Sequence, residues 1–176
     1  MFSVTKEQFL TQLDFSKPTV YVLRGIPGCG KSTLAIEIGS ITDKSWSVCS
    51  ADAFFFKNGE YIFDRPRIGE AHSWCLRTFI ERMTQESIHS IFLDNTNTTI
   101  KEFEHYVKIA KAYNYKVVLV TLNVSVETSK TRNVHQVPEK TIQGMYDRLN
   151  NTDSVLKVNA FCREHKIEHF NLDSEE

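Results

Sequence analysis

Several things are scarce or missing in this sequence, and each absence excludes a class of protein. The four cysteines, Cys29, Cys49, Cys75 and Cys162, are scattered, with no C-x-x-C pair and no His-x-x-x-His partner. That excludes a zinc finger and a disulfide scaffold and fits a reducing compartment. Charge of one sign is lacking: 21 Lys+Arg against 22 Asp+Glu leave a net charge of −1. No global positive field draws the chain onto nucleic acid or an anionic membrane, so any such binding uses a local patch. No apolar run approaches membrane length, and the opening MFSVTKEQFLTQLDFSK has no signal-peptide core. With 4 prolines and 7 glycines there is no Gly/Ser/Pro-rich linker, nor any internal repeat or low-complexity segment. The expectation is a single soluble domain over residues 1–176, cytoplasmic, with one substantial core.

What is present is alternation. Short β-rich apolar runs occur at 19–24, 45–50, 90–94, 116–122 and 167–172, the last followed by an acidic tail. Between them lie helical periods: Ala71, Trp74, Cys75, Thr78, Phe79 and Met83 share one face, as do Ile100, Phe103, Tyr106, Val107, Ala110 and Tyr113. This predicts an α/β fold, one parallel five-stranded sheet with helices on both faces. In such sheets ligands sit at the carboxyl ends of the strands. The places to look are therefore Gly25 onward, Asp52, Asp94 to Asn97, and the segment after Asn123.

The first of these reads GIPGCGKST, Gly25 to Thr33, a full match to G-x-x-x-x-G-K-[ST] between a β-run and an amphipathic helix. Glycines let successive N–H groups turn inward around phosphate oxygens, and the following helix adds the positive end of its dipole. Gly25, Pro27, Gly28, Cys29, Gly30, Lys31, Ser32 and Thr33 are thus nucleotide-binding candidates, with Lys31 on the β- and γ-phosphates and Ser32 on Mg²⁺. The P-loop NTPase fold follows, with ATP or GTP and Mg²⁺ as cofactors.

The other strand ends leave choices open. Asp94, after IFL, is either a magnesium-shell acid or a helix cap. Asp52 is either a general base facing the γ-phosphate or a turn cap. Asn95, Thr96 and Asn97 suit a helix cap or recognition of an acceptor. Residues 125–140, with Lys130 and Arg132, form either a lid or a solvated helix. Asn58-Gly59 has the character of a two-residue hairpin turn. Lys57, Arg65 and Arg67 make either a local basic patch or a solvated rim.

Together, GIPGCGKST, SADAFF, GEYIFD, EAHSWC, LDNTNT, EFEHYVKIAKAYNYKV and TRNVHQVP resemble the 5′-hydroxyl polynucleotide kinases of the phage and kinase-phosphatase type. They are more similar still to the P-loop domains of eukaryotic proteins that bind HECT-type ubiquitin ligases. The likeness spans about residues 19–150. It implies a kinase-like fold with a helical lid and ATP-dependent phosphoryl transfer to nucleic acid 5′ ends. Asp52 becomes the base, Lys31 and Arg132 the catalytic cations, Ser32 and Asp94 the metal site. Asn95, Thr96 and Asn97 lie by the acceptor; apart from the resemblance, the aromatic run Phe54, Phe55 and Phe56 is expected to stack on a terminal base, with Phe54 and Phe55 as acceptor-binding candidates. Two departures stand out: Phe55 and Gln136 occupy positions where phage-type kinases carry arginines. A small-molecule kinase and an ATP-binding module without transfer are the competing readings. No membrane association and no stable protein partner are expected.

Overall fold

The computed structural model describes residues 2–173, and the remainder of the acidic tail lies outside them. The strands are β1 (Phe2–Val4), β2 (Thr19–Arg24), β3 (Trp46–Cys49), β4 (Phe56–Lys57), β5 (Glu60–Tyr61), β6 (Ser90–Asp94), β7 (Lys116–Asn123) and β8 (Glu168–Asp173). The helices are α1 (Lys6–Thr11), α2 (Lys31–Ile41), α3 (Ile68–Thr84), α4 (Ile100–Ala112), α5 (Val126–Thr131), α6 (Glu139–Asn150) and α7 (Thr152–Glu164). The five expected strands form one parallel sheet, and β1 adds a short sixth at its edge, giving the order β1-β8-β7-β2-β6-β3. β4 and β5 form a separate antiparallel hairpin.

β2, the central strand, is buried along its whole length, so its successive side chains feed two separate cores. Val20 and Val22 pack with α3, α4 and α7 through Phe79, Tyr106 and Phe161. Tyr21 and Leu23 pack with α1, α2 and α6 through Phe9, Ile38 and Ile142. β2 leads through α2 to β3 on the β6 flank, whereas β6 leads through α4 back across to β7 on the other flank, and this reversal opens a crevice at the carboxyl end of β2.

Two local contacts make predictions. Gly39, in α2, lies so close to edge strand β3 that a Cβ there would sit 2.4–2.7 Å from three ring atoms of Trp46. Gly39→Ala should therefore lower stability by about 1–3 kcal/mol through overpacking, outweighing the roughly 1 kcal/mol that alanine contributes to a helix. Urea unfolding checks this, and in a Trp46→Leu background the same change should become neutral or stabilising.

The second concerns His169, buried on β8 between the Thr121 hydroxyl (3.0 Å from Nε2) and the Asn159 side-chain oxygen (3.2 Å from Nδ1). Burial first, and then the buried Arg24 guanidinium, pull its pKa from 6.5 down to about 4. The unfolded chain takes up a proton below pH 6.5 while the folded imidazole stays neutral. This contribution is therefore fully present above pH 6.5 and is lost as pH falls toward 4, by roughly 3 kcal/mol. Denaturation at pH 7, 5.5 and 4.5 should show that loss, and His169→Gln should flatten it.

Candidate active site

One large cleft, about 2100 Å³, opens at the carboxyl ends of the strands. Its floor is the turn between β2 and α2. Gly28 (φ 72°) and Gly30 (φ 96°) adopt left-handed backbone that other residues rarely take. Gly30 caps α2 without any side-chain hydrogen bond, which leaves the first-turn N–H groups facing the cleft as anion donors. Lys31 is buried. Its Nζ donates to the carbonyls of Gly25 (3.1 Å) and Ile26 (3.0 Å) and lies 3.6 Å from Cys29 Sγ. Pro27 to Thr33 line the cleft, whereas Gly25 does not. Gly25 anchors the loop instead: its N–H donates to Thr96 O (3.0 Å), and a Cβ there would meet Cys29 Sγ at 2.5 Å.

Asp94, nearly buried at the end of β6, accepts a 2.6 Å hydrogen bond from the Ser32 hydroxyl. The pair joins the end of β6 to the first turn of α2. The following three residues act mainly as a clasp. Asn95 Oδ1 accepts from Ala51 N–H (2.9 Å) and its amide approaches Cys75 Sγ (3.6 Å), while Asn97 donates to Leu23 O (2.6 Å). They tie the carboxyl ends of β2, β3 and β6 together. Asn95 and Thr96 still line the cleft, but Asn97, 1% exposed, does not. The expectation that Asn97 touches an acceptor is corrected: it is an internal strut, its left-handed φ of 49° tolerated because asparagine adopts αL readily.

Asp52 is the second residue of a 3₁₀ turn (Ala51–Phe55) after β3, where the Ser50 hydroxyl caps its N–H. Its carboxylate is exposed on the cleft wall, and Oδ1 accepts from the Tyr61 hydroxyl at 3.2 Å. Asp52 thus lines the same cleft as the P-loop. The turn cap at this position is Ser50, which leaves the Asp52 carboxylate free of that task.

The neighbouring phenylalanines divide. Phe55 is 3% exposed and belongs to the core, with its ring against Phe54, Tyr61 and Phe63. Phe54 does not line the cleft; it lies between Trp74 and the Arg67 guanidinium, 4.7 Å from its ring. Both were expected at the acceptor, and packing against α3 removes Phe54 from that role and limits Phe55 to the wall. The exposed phenylalanines at the cleft are Phe56 and Phe63, 55% and 52% exposed. The Asn58-Gly59 turn is present, with both residues at positive φ. Pairing of Phe56 with Tyr61 across that hairpin brings Tyr61 into the cleft. Arg67 is engaged by Glu70 at 2.8 Å, so it is not part of a free basic patch; Arg65 lines the cleft, and so does exposed His72.

The segment between α5 and α6 lines the same cleft. α5 rests on the P-loop: the Ser129 hydroxyl donates to Pro27 O at 2.6 Å, and Ser129 O and the Arg132 Cβ close over Gly28. Arg132 caps the end of α5 and lines the cleft. Asn133 braces the loop through a reciprocal pair with Val137 (2.8 and 3.1 Å), and His135 sits ring to ring with Tyr61, centroids 4.5 Å apart.

Comparison with known proteins agrees with this geometry. A family model described as AAA domain (AAA_33) matches residues 20–154, from the first core strand to the start of α7. The chain belongs to that family. It is 32% identical to human NEDD4-binding protein 2 over 166 residues, which covers 89% of this chain but 9% of that protein. The chain spans 9–23% of the length of the curated relatives it matches. Among solved structures, a chain of the Pnkp1/Rnl/Hen1 RNA repair complex superposes with a TM-score of 0.63 at 18% identity, covering 81% of this chain and 47% of that one. A gluconokinase from Sinorhizobium meliloti does so at 0.57 and 15% identity, covering 90% and 84%. The domain therefore has a kinase-like P-loop fold. Among the described residues, no helix is long and apolar enough to cross a membrane.

Proposed function

We propose that this domain transfers the γ-phosphoryl group of ATP to the 5′-hydroxyl of a nucleic acid end. The observation that carries the reading is Asp52: a carboxylate lining the P-loop cleft, which Arg132 lines as well. In the transfer, Asp52 takes the proton of the acceptor hydroxyl as its oxygen bonds to phosphorus. The bond between that phosphorus and the β,γ-bridging oxygen breaks, and ADP leaves. The loop N–H groups, Lys31 and Arg132 bear on the charge that the phosphoryl oxygens carry through this step.

Ser32 and Asp94 offer two hard oxygen donors 2.6 Å apart, and among the described residues no cluster of three His, Cys, Asp or Glu is arranged for a metal. So sparse a set suits Mg²⁺, which retains waters and substrate phosphates as its other ligands. When bound there, it neutralises charge on the β- and γ-phosphates.

The acceptor half of the cleft favours a base-bearing substrate. Phe56 is 55% exposed and Val134 82% exposed at its mouth, beside Tyr61 and His135. Flat apolar faces stack on any base and contribute about 1–3 kcal/mol per base, whereas a sugar acid needs convergent polar groups. An acceptor panel tests the reading: 5′-hydroxyl RNA and DNA oligonucleotides, a mononucleoside and a sugar acid, each with ATP and Mg²⁺. Oligonucleotides should exceed the mononucleoside in kcat/KM by about 10-fold or more. Turnover of the sugar acid or the nucleoside with oligonucleotides inert would replace this reading with a small-molecule kinase.

A further inference from the structure

Tyr61 stands where the two walls of the cleft meet. The tight turn at Asn58-Gly59 sets the hairpin register so that Tyr61 pairs with Phe56, and the two rings lie 5.2 Å apart. From there Tyr61 reaches in two directions. Its hydroxyl donates to Asp52 Oδ1 at 3.2 Å, and its ring packs on His135 at 4.5 Å and 42°. His135 belongs to the loop that Asn133 braces against Val137, three residues from Arg132. One side chain thus joins the carboxylate on the first wall to the arginine-bearing segment on the second.

We infer that Tyr61 is the positioning residue of the transfer: its hydroxyl orients the Asp52 carboxylate toward the acceptor, and its ring on His135 ties that carboxylate to the Arg132 segment. The inference rests on the phosphoryl-transfer reading above. An exposed aspartate on a short turn has several rotamers, only some of which present an oxygen to a hydroxyl in the cleft. A hydrogen bond to Oδ1 removes most of that freedom and leaves Oδ2 as the oxygen directed at the acceptor. Orientation of this kind acts on the reacting geometry rather than on nucleotide affinity. The phenol suits the task because burial, and next the Asp52 charge, push its pKa up to about 12. It therefore stays protonated, and a donor, at neutral pH.

The test uses the full chain with ATP, Mg²⁺ and a 5′-hydroxyl oligonucleotide. Tyr61→Phe keeps the ring on His135 and removes only the hydroxyl bond; it should lower kcat about 10-fold or more while KM for ATP stays unchanged. In an Asp52→Asn background the same change should cost almost nothing further, because the group it positions no longer accepts a proton. Tyr61→Leu removes the ring as well and should also abolish the upfield ring-current shift of the His135 Cε1 proton in NMR spectra, which Tyr61→Phe retains. That last measurement needs no turnover. Wild-type kcat in Tyr61→Phe, or an equal loss with and without Asp52, overturns the positioning role. A His135 resonance that does not move in Tyr61→Leu overturns the tie between the walls. Absence of transfer by the wild-type chain would instead strike the phosphoryl-transfer reading, leaving the resonance to decide the ring contact alone.

Discussion

Replacing Asp52 with asparagine is expected to slow phosphoryl transfer by about 10²–10⁴-fold, the range that a positioned general base supplies. The change is nearly isosteric, and an amide oxygen still accepts the Tyr61 hydroxyl that now bonds Oδ1. Ser50, not Asp52, caps the turn, and the Asp52 side chain is exposed. Folding should therefore be unaffected. Among the described residues Asp52 makes no hydrogen bond to the P-loop, whose organising contacts are Lys31 to the carbonyls of Gly25 and Ile26 and Ser32 to Asp94. Nucleotide affinity should change by less than about 3-fold, well under 1 kcal/mol. Calorimetric ATP binding alongside single-turnover transfer separates the two quantities. A variant that binds ATP normally and transfers at wild-type rate would remove Asp52 from the reaction.

Gly28→Ala should do the opposite, damaging binding before chemistry. At φ 72° the backbone is in the left-handed region, where an alanine is disfavoured by roughly 1–2 kcal/mol. The new methyl would lie 2.8 Å from Ser129 O and 3.1 Å from the Arg132 Cβ. These atoms belong to the end of α5, which the Ser129–Pro27 hydrogen bond holds on the loop. Relief requires α5 to back away or the loop to open, an overpacking cost of about 1–3 kcal/mol. Together these amount to a loss of nucleotide affinity on the order of 100-fold or more, and transfer falls with it because Arg132 is displaced. Gly69→Ala in α3, where a Cβ would meet nothing within 4 Å, is the control and should bind within about 2-fold of wild type.

Those two residues also mark how much was legible in the chain. The P-loop could be read because its chemistry is local: the glycines, the lysine and the serine of the motif are contiguous, and spacing alone specifies them. The sheet was legible for a similar reason, since strands buried on both faces write continuous apolar runs. Residues 2–4 escaped because three residues carry no period, and they become a strand only by pairing with β8. The DNTN stretch misled in part. Short polar residues at a strand end suit either a ligand or a backbone clasp, and nothing local says that Asn97 turns inward to Leu23 O. The aromatic run misled for a tertiary reason. Which of Phe54, Phe55 and Phe56 faces the cleft depends on α3, which claims Phe54 through Trp74 and leaves Phe56 exposed. Tyr61 and His135 were visible as letters, but their meeting joins segments 74 residues apart and follows from the hairpin register and the Asn133 brace.

The most direct measurement is where the γ-phosphorus of ATP ends up. The chain is incubated with γ-labelled ATP, Mg²⁺ and a single-stranded oligonucleotide bearing a 5′-hydroxyl, and the product is digested to mononucleotides. The predicted result is label on the 5′-terminal nucleotide alone, present with the wild-type chain and reduced at least about 100-fold with Asp52→Asn. Label released only as inorganic phosphate, or retained in ATP that is measurably bound, would contradict it.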